Sequence, residues 1–207
     1  MKTDQQPEKR PRGRPRTRLL ERESLLESAM QLFWQRGYET TSTRELATTL
    51  GITPAELYAL FGDKERLYDE AIARYQANAG SYSARIFSEE PNARSAVERM
   101  LREAARDMVD PSRPAGCMLV TSAMNCALSS SHVQARIAQL RREAEARLRV
   151  RIEFGIQEGD VPRGADAYAL ASFYSAVLQG LTIQARDGAS AQTLAQIADN
   201  AMLAWPS

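Results

Sequence analysis

Two helix-start signals lie close together in the segment STRELATTLGITPAELYALFGDK, residues 42–64, and the glycine between them leaves little choice of local fold. Ser42 can cap a helix while Glu45, three positions on, reaches back to the N–H of the cap; Thr53 and Glu56 repeat the arrangement. Pro54 falls at the first helical position, where its missing N–H is an orphan in any case. Leu46, Ala47 and Leu50 share one helical face, and Gly51 supplies the bend that follows. The pattern is helix, three-residue turn and a short second helix over about 54–60. That is the helix-turn-helix arrangement, whose second helix fits the DNA major groove.

The flanking sequence continues in helices. Leu25, Leu26, Ala29, Leu32 and Phe33 recur at helical spacing, and Gly37 follows Arg36 where a helix C-terminus favours glycine, so a first helix is predicted over about 20–36. Another restarts near Lys64, and the same periodicity returns at about 93–109, 117–128, 132–157, 166–186 and 190–204. The breaks SEEPN, DPSRPAG, LSSS, GDVPRG and RDGAS have loop composition. No alternation of the strand kind occurs. The fold class is all-α, with about nine helices and no internal repeat.

The whole stretch LFWQRGYETTSTRELATTLGITPAELYALFGDKERLY resembles the DNA-binding domain of TetR-like (TetR/AcrR) transcriptional regulators over about residues 22–72. The resemblance implies a three-helix helix-turn-helix domain at 19–68 and a helical effector-binding and dimerisation domain at 69–207. It also implies that Arg44 touches the DNA backbone, that Thr53, Pro54, Ala55 and Glu56 face the groove, and that Tyr58 and Lys64 contact phosphate. Capped helix N-termini, with free backbone N–H groups, are anion sites in their own right. Leu57, Leu60 and Phe61 are expected in the core. This second helix is poor in donors for base edges: Ala55 or Ala59 can meet a thymine methyl, and Glu56 can accept from cytosine N4 only by leaving its cap.

Charge is unevenly placed. The net of +1 hides a tail, residues 1–18, with seven Lys or Arg against two acids, and a 19–68 segment with five against eight. Within the tail, KRPRGRPRTR resembles the core of an AT-hook. Arg12, Arg14 and Arg16 carry the guanidiniums, Gly13 permits close approach to the groove floor, and Pro15 keeps the strand extended. The alternative reading of the same residues is a disordered polybasic arm that binds phosphate without sequence preference or serves solubility alone.

The later helices are read from the same resemblance. ADAYALASFYSAVLQGLTIQARDGAS looks like the penultimate, dimer-forming helix, with Leu170, Tyr174, Val177, Leu178 and Leu181 as its contact residues. A helix apolar on two sides needs its own core and a second subunit. A two-fold homodimer sets two reading helices one DNA turn apart, so the partner is double-stranded DNA with a near-palindromic operator, and an A·T-rich flank if the arm enters the minor groove. Met100, Met118, Thr121, Asn125, Phe154 and Tyr174 are candidate walls for a small apolar or amphipathic effector, since methionines line adaptable cavities.

These readings make the chain a repressor relieved by a small molecule. Two alternatives remain in the sequence: a redox or electrophile sensor acting through Cys117 and Cys126, and a DNA-architectural protein that answers to no ligand. The cysteines lie outside close metal-ligand spacings, and the single histidine, His132, sits in a helix-start loop. No phosphate loop or acid–base constellation is present, so neither an enzyme nor a cofactor is expected. The N-terminus lacks the apolar region of a secretory leader, and the uncharged run at 167–185 carries too many polar residues for a membrane span; a cytoplasmic location is expected.

Overall fold

A computed structural model describes residues 15–207, with side chains from Glu21 onward. The described residues form α1 (Pro15–Arg36), α2 (Thr43–Leu50), α3 (Pro54–Phe61), α4 (Lys64–Ala77), α5 (Tyr82–Glu89), α6 (Ala93–Asp107), α7 (Met118–Thr121), α8 (Ser131–Glu158), α9 (Ala167–Arg186) and α10 (Ala191–Met202). A single 3-10 turn, Leu128–Ser130, precedes α8, and no strand occurs among these residues. The expected all-helical architecture is present, and α7 alone is shorter than two turns.

Helix α1 starts earlier than the predicted residue 20. Proline is pre-organised for a first helical position, and the Arg-, Leu- and Glu-rich run after it favours helix, so Pro15 to Arg18 continue α1. Arg12, Gly13 and Arg14 of the hook-like motif lie outside the described residues. At its other end α1 stops where predicted. Gly37 has φ +92°, its N–H donates to the Phe33 carbonyl at 2.8 Å, and an added Cβ would stand 3.2 Å from the Ser122 carbonyl oxygen. Both the positive φ and that close approach select glycine.

Two cores organise the chain. The first joins Phe33, Tyr38, Leu46, Leu57, Phe61, Leu67 and Tyr68 to Met118, Ala123, Val133 and Ile137 from far along the sequence. The second packs α5, α6, α8, α9 and α10 around Ile86, Leu101, Ile152, Tyr174, Leu181 and Trp205. Helix α4 runs unbroken through residue 68, where the sequence reading sets a domain boundary, and the segment after α6 completes the core of the N-terminal helices.

That segment corrects the predicted helix over 117–128. Only Met118–Thr121 is helical, because Ser122 is claimed by the first core. Its carbonyl accepts the Tyr38 N–H at 2.6 Å, and its hydroxyl lies 2.6 Å from the buried Tyr68 hydroxyl. A carbonyl turned towards Tyr38 cannot continue a helical ladder. The sequence reading also passes over α5, whose start has no side-chain cap.

Candidate functional site

The three helices after α1 present their N-termini through three different caps. At α3 the box is complete: Glu56 accepts the Thr53 N–H at 2.8 Å, and the Glu56 N–H donates to the Thr53 hydroxyl at 3.2 Å. The Thr53 N–H and the Thr53 hydroxyl, each donating to the carboxylate at 2.8 Å, hold the Glu56 carboxyl below the usual carboxylate range. At α2 the box is half formed. The Ser42 hydroxyl accepts the Glu45 N–H at 3.1 Å, but the Glu45 carboxylate turns to an ion pair with Arg36 instead of closing the reciprocal bond. Asp63 caps α4 by accepting the Arg66 N–H at 2.8 Å.

Between these caps α3 turns almost all of its side chains outward. Leu57 and Phe61 are buried, while Thr53, Pro54, Ala55, Glu56, Tyr58 and Ala59 are exposed, Tyr58 by 52%. Leu60, expected in the core, is 39% exposed. Arg22 occupies the edge of the core there: its guanidinium sits 4.6 Å from the Phe61 ring, pairs with Glu70 at 2.7 Å and donates to the Leu60 carbonyl at 3.4 Å. Arg44 is exposed on α2 and makes no ion pair among the described residues.

Lys64 sits differently from the other candidates. It is half-buried at the start of α4, with Nζ 4.1 Å above the Tyr38 ring, and burial lowers its pKa against the opposing pull of Glu39 and Cys126. A cation over an aromatic face keeps its charge in such a place. Tyr38 is the residue whose N–H is held by Ser122, so Lys64 stands one ring away from the α7 segment.

Behind the first core lies a cavity of about 120 Å³, between α4, α5, α6, α8 and α9. Of the expected pocket residues only Met100 lines it. Met118 belongs to the first core; Asn125 is exposed; Phe154 is exposed beneath the Arg151 guanidinium; Tyr174 is fully buried, its hydroxyl 3.4 Å from the Ala201 carbonyl. Thr121 donates to the Cys117 carbonyl and accepts from Arg186. The helix expected over 117–128 ends at Thr121, which takes Asn125 out of its expected phase, while packing turns Met118 and Tyr174 into the two cores and Phe154 to the surface. Tyr75, Tyr82, Arg141 and Thr182 line the cavity without any signal in the sequence. Each lies on an otherwise ordinary amphipathic helix, and only tertiary packing brings them together.

The residues expected at the dimer contact divide by burial. Tyr174 and Leu181 are fully buried within the chain, and Leu170, Val177 and Leu178 are partly buried against the second core. The fully outward stripe of α9 is Ala169, Phe173, Ala176, Gly180 and Ile183. Cys117 and Cys126 are free thiols. Cys117 accepts the Tyr75 O–H at 3.3 Å, and burial pushes the Cys126 thiol up. His132 is exposed, 2.8 Å from Glu65. Among the described residues no cluster of three or more His, Cys, Asp or Glu could hold a metal, and no helix is long and apolar enough to cross a membrane.

A capped, outward-facing second helix set on a larger helical body defines a helix-turn-helix DNA-binding regulator. Residues 25–71 match bacterial regulatory proteins of the tetR family, and residues 92–200 match the tetracyclin repressor-like C-terminal domain. The chain is 33% identical to the HTH-type transcriptional repressor ComR of Escherichia coli over 96% of its own length and 94% of that protein. It is 30% identical to the repressor BdcR of the same organism, over 88% and 86%. A cysteine mutant of the TetR family transcriptional regulator CifR, solved with 26-bp double-strand operator DNA, superposes with a TM-score of 0.88 at 35% identity, covering 96% of this chain and 100% of that one. The chain belongs to the TetR family.

Proposed function

We propose that this chain is a homodimeric, operator-binding transcriptional repressor of the cytoplasm, relieved by a small apolar or amphipathic effector. Residues 19–68 read DNA, residues 69–207 bind effector and partner, and residues 1–18 supply a basic arm whose last four residues already belong to α1. The observation that carries this is the arrangement of α3: Leu57 and Phe61 alone anchor it, and its remaining residues stand free beside the capped N-termini of α2 and α4. Free backbone N–H groups at those three starts, with Arg44, Tyr58 and Lys64, suit phosphate oxygens. Ala55 and Ala59 suit thymine methyls. With Glu56 committed to its cap, α3 brings little hydrogen-bonding readout, and the arm is the natural source of added affinity. The arm takes either of two forms, a hook-like entry into an A·T-rich minor groove or phosphate binding alone.

Fluorescence anisotropy with duplexes from the DNA adjoining the gene tests this reading. Lys64→Gln and Arg44→Gln should weaken binding to all sequences alike and lower the salt slope by about 0.9 each, as the removal of one phosphate partner requires. Ala55→Asp should abolish binding without loss of fold. Wild-type affinity from all three variants would remove α2, α3 and α4 from the DNA interface.

A further inference from the structure

The cavity holds a guanidinium without a counter-ion. Arg141, on α8, lines it, and among the described residues no carboxylate lies within ion-pair distance of that side chain. Its Nη1 donates to the Leu119 carbonyl at 2.7 Å. Arg74 and Arg99, by contrast, are each paired with two or more acids. A carboxylate is available one turn along α8, since Glu145 also lines the cavity, but it accepts the Ser172 hydroxyl at 2.6 Å and leaves Arg141 alone. Burial without a counter-ion lowers the pKa of Arg141, the signature of a desolvated charge.

Two other donors near it lack acceptors. The Tyr82 hydroxyl has no hydrogen-bond partner among the described residues, and burial keeps it protonated. A side chamber of about 30 Å³ continues past Tyr75, Tyr82 and Cys117 to Trp34, whose buried Nε1 has no partner either. Buried donors are ordinarily satisfied, by protein, water or ligand. Trp34 Nε1 is such a buried donor, and beside it the partly buried Tyr82 hydroxyl is unpaired and Arg141 has donors left beyond its bond to Leu119, so the space suits a molecule that brings acceptors. Met100, Met108, Leu148 and Leu178 supply the apolar part of the wall, while Gln76, Ser83, Ser175 and Gln179 add polar side chains and the exposed Arg147 stands at its edge. A volume of about 120 Å³ is close to the roughly 150 Å³ of a dry cavity that takes up benzene.

We propose that this cavity selects small organic anions, monocarboxylates with an apolar body about the size of one ring, and that Arg141 is their anchor. The proposal rests on the cavity being the effector site of the repressor reading. It also gives that site a way to act on DNA. A carboxylate competes with the Leu119 carbonyl for the same guanidinium, and Ser122, three residues on, holds both Tyr38 and Tyr68 of the reader. Drawing Arg141 away therefore loosens the segment on which the ring beneath Lys64 depends.

The test is calorimetric titration of the full-length protein with benzoate, benzamide and benzyl alcohol, on wild type, Arg141→Gln and Arg141→Lys, with operator affinity measured alongside. A charge-assisted bond should favour benzoate over both neutral probes by about tenfold or more. Arg141→Gln should erase that preference, and Arg141→Lys should keep part of it. The ratio between probes isolates the anchor from any structural part of Arg141, and far-UV circular dichroism with a cooperative thermal melt shows that the variants fold. Equal or tighter binding of the neutral probes, a preference that survives in Arg141→Gln, or no binding at millimolar concentration would overturn the proposal. Selective benzoate binding that leaves operator affinity unchanged would uphold the anion site and reject its role as effector site. Failure of the wild type to bind any operator would reject the repressor reading while leaving the calorimetric result to stand on its own.

Discussion

The bond between Tyr68 and Ser122 is the clearest place to test how the C-terminal segment is tied to the reader. Both residues are buried, at 0% and 2% exposure, and their hydroxyl oxygens lie 2.6 Å apart. Burial keeps the Tyr68 hydroxyl protonated across the working range. Tyr68→Phe leaves the Ser122 hydroxyl without its partner, and Ser122→Ala does the same to Tyr68. Each should cost about 1–3 kcal/mol, the penalty for a stranded buried polar group. The double variant strands neither, so its loss should not exceed that of the worse single. The interaction energy should then be about 1–2 kcal/mol, well outside the ~0.5 kcal/mol scatter of independent sites. Urea unfolding followed by far-UV circular dichroism, at one fixed protein concentration because the chain is read as a dimer, supplies the numbers. Losses that simply add would refute the coupling, and with it the claim that residue 122 is part of the reader's core.

Three further outcomes follow from the same structure. Removing residues 1–14, which leaves all of α1 in place, should flatten the plot of log operator affinity against log salt by roughly 0.9 for each phosphate the arm neutralises, measured by anisotropy at several salt concentrations. Gly116→Ala must fit a Cβ 2.8 Å from Thr182 Cγ2 and 3.0 Å from its carbonyl oxygen at φ +80°, whereas Gly159→Ala meets nothing within 4 Å at φ +85°. Overpacking of about 1–3 kcal/mol should therefore lower the melting temperature of the first below that of the second by roughly 2–12 °C in a chain of this size, as calorimetry can read. Phe173→Glu puts a charge in the outward stripe of α9 and should yield monomers in sedimentation, with steeply weaker operator binding.

Local signals are the readable part of this sequence. Thr53, Pro54 and Glu56 act within one turn, so their box can be inferred from spacing alone and is present in full. The box at Ser42 shows the limit of that logic, because Arg36 is a stronger partner for Glu45 than a backbone N–H, and Arg36 enters only through tertiary packing. Leu60 fits a core position by periodicity, yet Arg22 takes the space beside it. On α9 both faces are apolar, and hydrophobic spacing does not distinguish a core from a partner, so the burial of Tyr174 and Leu181 within the chain is not legible in their spacing. The cavity is least accessible. Its donors come from separate helices, and the segment beside it is helical by composition but is held out of a helix by contacts to Tyr38 and Tyr68.

The central claim is that α3 reads a specific DNA site as one half of a dimer. Selection of bound duplexes from a random-sequence pool by the full-length protein, followed by footprinting of the enriched sequence, addresses it directly. One discrete near-palindromic site should emerge, its half-sites about one helical turn apart, with protection centred on two successive major grooves. Enrichment of no sequence, or a footprint on a single half-site with no symmetric mate, would contradict it.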